Sequence, residues 1–97
     1  MLNLQSLLEK RATELTQSSS DWHKAVWSPE FQRLTSMMTD GEVESLFAIC
    51  GSSEQLTKLT HSLLQVCETS EQSPVEVLQS LATAKGLSIN DWVRQLK

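Results

Sequence analysis

Thr39-Asp40-Gly41-Glu42-Val43-Glu44-Ser45-Leu46-Phe47-Ala48-Ile49-Cys50-Gly51-Ser52-Ser53-Glu54-Gln55-Leu56 decides the fold class. It contains one full cycle of helix start, helix body, stop and new start. Thr39 and Glu42 have capping-box spacing, in which a side-chain oxygen accepts from an unpaired first-turn N–H. Val43, Leu46, Phe47 and Cys50 then fall at i, i+3, i+4 and i+7, one face of a helix. Gly51 is the expected left-handed stop, because glycine enters that conformation without a steric penalty. Ser52 and Gln55 repeat the start signal.

The same grammar extends both ways. Downstream, a helix carries Leu56, Leu59, Leu63, Val66 and Cys67, and Ser70 to Ser73 reads as a loop. Ser73-Pro74-Val75-Glu76 is a start with proline in the first turn, where its missing N–H costs nothing. Val77, Leu78, Leu81 and Ala82 continue it to a stop at Gly86. Ser88 caps a last helix with Ile89, Trp92, Val93 and Leu96 on one face, so Trp92 is expected in the core. Upstream, Ser28-Pro29 opens a helix with Phe31, Leu34 and Met38. A short helix is expected from Trp22 to Trp27, capped by Ser20 or Asp21. Leu4, Leu7, Leu8, Ala12 and Leu15 predict an N-terminal helix over 3–17, with Ser18-Ser19-Ser20 as a linker that lets it be semi-independent.

No segment alternates with period 2, so no strand is expected. The reading is an all-α compact bundle of about six short helices, one domain over 1–97, with loops of two to five residues. Length agrees: 97 residues support one core, and 39% hydrophobic residues can fill it. Fourteen Ser and eight Thr supply caps, while three Gly and two Pro impose few breaks. Helices this short are marginal alone, so packing must hold them.

Several function classes are set aside by composition. Twelve acidic against eight basic residues give a net charge of −4, so a broad polyanion-binding surface is not the default. No apolar run is long enough to span a bilayer, and no basic-then-apolar leader opens the chain. The cytoplasm is the expected compartment and no membrane association is expected. Two cysteines, Cys50 and Cys67, lie on apolar stripes and are expected as inert buried thiols without a disulfide. There is no phosphate-cradling glycine motif and no nucleophile–base spacing. His61 and Cys67 are six apart, about 240° around one helix. Metal-ligand spacing is missing as well. The chain is therefore not expected to be an enzyme, nor to hold a cofactor or a metal. The carboxylates Asp40, Glu42, Glu44 and Glu54 suit helix N-termini and a solvated face, or an acidic surface for a basic partner.

The segment from Leu78 to Leu96 resembles a helix-turn-helix. Ala82 stands where the two helices approach, Gly86 at the turn, Leu87 as an apolar plug and Ser88 as the cap. The resemblance makes 73–97 a helix-turn-helix-like unit and implies Asn90, Arg94, Gln95 and Lys97 as DNA-contacting residues of the last helix. It departs from the DNA-reading pattern at Lys85, where an apolar residue is usual, and in a net charge of only +2 over 85–97. Phosphate contacts need more positive charge than that.

The remaining signal is apolar surplus. Trp22 and Trp27 lie about 140° apart on a helix, so one buried face does not easily take both. His23, four before Trp27, is placed to stack on it. Met37 falls off its helix's apolar stripe. The N-terminal helix holds more leucine than a thin stripe needs, counting Leu2, and could pair with a second copy. The expectation is a small non-enzymatic adaptor, inhibitor or regulator. It binds another protein, or forms a homodimer, through Trp22, Trp27, Met37, Leu4 and Leu8. The alternative is a DNA-binding transcriptional regulator using the C-terminal segment.

Overall fold

A computed structural model describes residues 3–96. Among them seven helices follow in chain order: α1 Leu4–Glu14, α2 Ser19–Val26, α3 Pro29–Thr35, α4 Asp40–Ile49, α5 Ser53–Cys67, α6 Pro74–Ala84 and α7 Ile89–Arg94. None of the described residues is in a strand. The starts form where the caps stand. Asn3, Ser28, Thr39, Ser52, Ser73 and Ser88 each accept a first-turn backbone N–H, and Thr39 and Glu42 complete a capping box.

One core is shared by all seven. The longest helix, α5, runs through it and packs against α2, α3, α6 and α7. It buries Leu56, Leu59, Leu63 and Leu64, with Thr60 among them. The Thr60 hydroxyl donates to Leu56 O at 2.7 Å, so its burial leaves no unpaired polar atom. Phe47 of α4 stands between two rings. It stacks on Trp22 of α2 (centroids 6.0 Å, 23° between planes) and meets Phe31 of α3 edge-on (5.9 Å, 80°). Trp92 is buried on α7, as its spacing implies.

Two helices end in left-handed residues, only one of them glycine. After α6, Gly86 has φ +69, and Gly86 N and Leu87 N donate to Thr83 O and Ala82 O. This pair of bonds closes the helix-turn-helix-like corner. After α1, Thr16 does the same at φ 51, with Thr16 N and Gln17 N donating to Thr13 O and Ala12 O. The N-terminal helix therefore stops at Glu14 rather than at residue 17. A β-branched residue is costly in that conformation.

The end of α4 corrects the expectation for Gly51. Gly51 is not left-handed, and Cys50 at the cap is extended (φ −85, ψ 128). The last carbonyls are closed from α1 instead. Arg11 donates through Nη2 to Ala48 O at 3.0 Å and to Cys50 O at 2.9 Å, and through Nε to Cys50 O at 3.2 Å. Gln17 Nε2 adds a bond to Gly51 O at 2.8 Å. A cation at a helix C-terminus also meets the negative end of the dipole. With Leu8 and Ala12 enclosed on the same helix, α1 is docked by a polar latch and an apolar face together.

Cys50 lies fully buried beside this latch, and its thiol is free. Burial pushes its pKa from 9.0 up to about 12, while the Arg11 charge pulls back in part. The proton is held more tightly when folded than when unfolded. Stability is therefore complete below pH 9 and falls as pH rises through the window to about 12, by up to ~1.4 kcal/mol per pH unit.

Three measurements follow from these contacts. Arg11→Ala lowers stability by about 1.5–3 kcal/mol, read as a urea midpoint, and Arg11→Lys recovers part of it because an ammonium lacks the forked geometry. Thr16→Gly and Gly86→Ala shift the midpoint in opposite directions, up and down, each by about 1 kcal/mol. Between pH 9 and 11 the midpoint of the native sequence falls more steeply than that of Cys50→Ala.

Candidate functional site

The first turns of α4, α6 and α7 converge on one side of α5 and leave a groove of about 370 Å³ between them. Its floor is apolar: Leu46 of α4, Leu63 of α5 and Leu78 of α6. Met38, Ile49 and Ile89 form half-buried walls, and Val75 stands exposed at the rim. Gly41 leaves the wall bare. A Cβ placed there would meet nothing within 4 Å. Concave, mostly apolar sites of this size are where ligands and partner side chains bind.

The polar side chains at the groove's mouth are paired within their own helix start, and each cap takes one first-turn N–H. Thr39 N donates to Glu42 Oε1 at 2.9 Å, and Glu42 N donates back to Thr39 Oγ1 at 3.3 Å. Ser45 Oγ donates to Gly41 O at 3.0 Å. At the other helix starts, Glu76 N is taken by Ser73 Oγ and Asp91 N by Ser88 Oγ. Pro74 has no N–H to offer. One first-turn donor at each convergent helix end is thus already taken. Glu42 contributes the one ionisable side chain among the lining residues.

None of the five residues expected to bind protein lines this groove. Trp22 and Leu8 are fully enclosed, which corrects their assignment to a surface. The reason for Trp22 is local. Trp22 and Val26, four apart, share the inner face of α2, which begins at Ser19, and Trp27 falls at its C-cap. The Trp22 indole donates Nε1–H to Gln17 Oε1 at 3.0 Å, so its polar edge is satisfied too. Leu4 is half-buried against the core, and Leu7 and Leu15 with it, which absorbs most of the leucine surplus. Leu2 lies outside the described residues.

Trp27 and Met37 are exposed, at 46% and 42% of their surfaces. Trp27 meets the His23 ring at 5.8 Å and 50°. Met37 directly precedes Met38 of the groove wall. Asn90, Arg94 and Gln95 are exposed on or just after α7. Arg94 Nη1 stands 3.6 Å from Asp91 Oδ1, so its charge faces a carboxylate. Lys97 lies outside the described residues.

The histidines are exposed on separate helices, α2 and α5. A shallow depression beside His61 mixes Asp21, Lys24, Glu54 and Lys58, with no buried polar group aimed into it. Among the described residues no three His, Cys, Asp or Glu side chains stand together as metal ligands. Cys67 is a buried free thiol whose pKa burial raises, so it stays protonated at neutral pH. No described helix is long and apolar enough to cross a membrane.

The groove escaped the sequence because it belongs to no single stripe. Its signal was two β-branched residues beside the stripes, Ile49 and Val75, and a glycine in a first helical turn that needs none. Comparison with protein-family models, with curated proteins and with solved structures finds no match for this chain.

Proposed function

We propose that this protein is a non-enzymatic binding module, an adaptor or regulator that takes an apolar segment of another protein into the groove between α4 and α7. The observation that carries the proposal is the open apolar floor, together with rim side chains, Thr39, Glu42 and Ser45, that bond within their own helix start. Such a surface gains from covering carbon and has little to gain from an ion. Val75 is exposed at the groove's rim, and Met37, which precedes Met38 of the wall in sequence, is exposed as well. Methionine adapts its shape to a partner.

Trp27 supports the reading less. Its indole is exposed with His23 alone beside it, and single exposed aromatics are ordinary. The DNA-binding alternative draws on the same corner geometry that any helix-turn-helix has. Its described cations are few, and Arg94 is paired with Asp91.

Filling the groove tests the proposal. Gly41→Trp places an indole where a Cβ meets nothing, and replacing a helical glycine favours α4 by up to ~0.5 kcal/mol. The immobilised protein, its Gly41→Trp and Val75→Asp variants, and Trp27→Ala are each incubated with nuclease-treated lysate of the native host. Bound proteins that the two groove variants lose and Trp27→Ala keeps are the expected result, with all four circular dichroism spectra alike. Equal retention by Gly41→Trp and Val75→Asp ends the groove reading. Retention on DNA of the untreated protein, lost with Arg94→Glu, would favour the alternative.

A further inference from the structure

We infer that the occupant of the groove is an amphipathic helix with basic flanks. This rests on the groove reading above and adds the shape and charge of the partner.

Shape is argued from hydrogen bonding. An extended peptide that pairs its backbone by strand addition needs an open strand edge, and none of the described residues forms a strand. At each helix start around the groove the cap of Thr39, Ser73 or Ser88 takes one first-turn N–H, and the groove offers a peptide no strand edge to pair with along its length. An incoming segment must therefore satisfy its own N–H and C=O groups, which a helix does. It would present carbon alone to Leu46, Leu63 and Leu78, through side chains at i, i+3 or i+4, and i+7.

Charge is argued from where the acidic residues fall. Residues 34–94, which include every residue lining the groove, hold eight of the twelve carboxylates and three of the eight cations, Lys58, Lys85 and Arg94, the last facing Asp91. The groove wall α4 carries Asp40, Glu42 and Glu44 and no Lys or Arg. The loop before α6 and its first turn carry Glu71 and Glu76, again with none. No basic residue lines the groove, and Glu42 reaches into it. The outer turns of the occupant thus face a net negative charge, concentrated on the α4 and α6 sides, where screening acts over about one Debye length, ~8–10 Å at ordinary salt. The same field disfavours a second copy of this chain, which would bring two acidic walls together.

Two designed helical peptides of about 18 residues, long enough to hold a helix on contact, decide the matter. They share one leucine face; the other positions are Lys in one and Glu in the other. Each is titrated into the isotopically labelled protein, and amide shifts are followed by NMR. The expected result is saturable binding of the Lys peptide, with the largest shifts at Gly41, Glu42, Ser45 and Val75. The Glu peptide binds at least about tenfold more weakly, and 0.5 M salt weakens the Lys peptide by roughly fivefold. Glu42→Gln keeps the capping box and weakens the Lys peptide by about threefold. Gly41→Trp abolishes its binding.

Equal or tighter binding of the Glu peptide overturns the basic-flank inference and leaves the groove reading standing. Shifts away from the groove, or binding that Gly41→Trp leaves intact, overturn it as mere attraction to an acidic surface. Failure of both peptides to bind overturns it as well, and the capture experiment decides separately whether the groove is used at all. Concentration-dependent self-association lost in Gly41→Trp would replace the helix with a second copy.

Discussion

Phe47 between Trp22 and Phe31 is the contact on which the arrangement depends. The helices are short; apart from α5 none exceeds 11 residues. Lengths of that order do not persist in water without tertiary contacts. One ring on α4 joins α2 and α3, and both of these pack on α5. Fixing α4 on that side fixes its other side as well. Val43, Phe47 and Cys50 face inward, and Gly41, Ser45 and Ile49 turn to the groove; Leu46 belongs to both. The apolar site is thus the second face of the helix that seals the core, and its shape follows from the packing of the rings.

Helix starts were legible because capping is local. The serines and threonine at 28, 39, 52, 73 and 88 need only the next three residues to act. The exception is informative. Ser18, before α2, makes no side-chain cap bond, and the roughly 140° between Trp22 and Trp27 says that one buried face does not easily take both, not which of them turns inward. Helix ends were less legible, since what closes them can come from elsewhere. Gly86 ends α6 by its own conformation. Gly51 does not end α4, because Arg11 reaches its carbonyls from 39 residues away in sequence. Thr16 ends α1 in a conformation its side chain resists, held there by two backbone bonds.

The site was the least legible part. Periodicity finds the face that a helix buries, one helix at a time. A groove is the space that several such faces fail to fill, and it depends on where helices cross. Ile49 and Val75 stood beside the stripes and could be seen, but nothing in the spacing says that α4 and α6 bring them to one hollow. The buried fate of Leu8 has the same origin: it needed α2 and α4 around α1 before its enclosure could be known.

The unequal housing of the three indoles has an optical consequence. Trp22 and Trp92 lie in the interior and emit as chromophores screened from water, whereas Trp27 is already wet. Loss of the fold therefore reddens two emitters against a third that barely changes, and a soluble quencher separates them by reach. The chain carries a built-in reporter for its interior and another for its exterior.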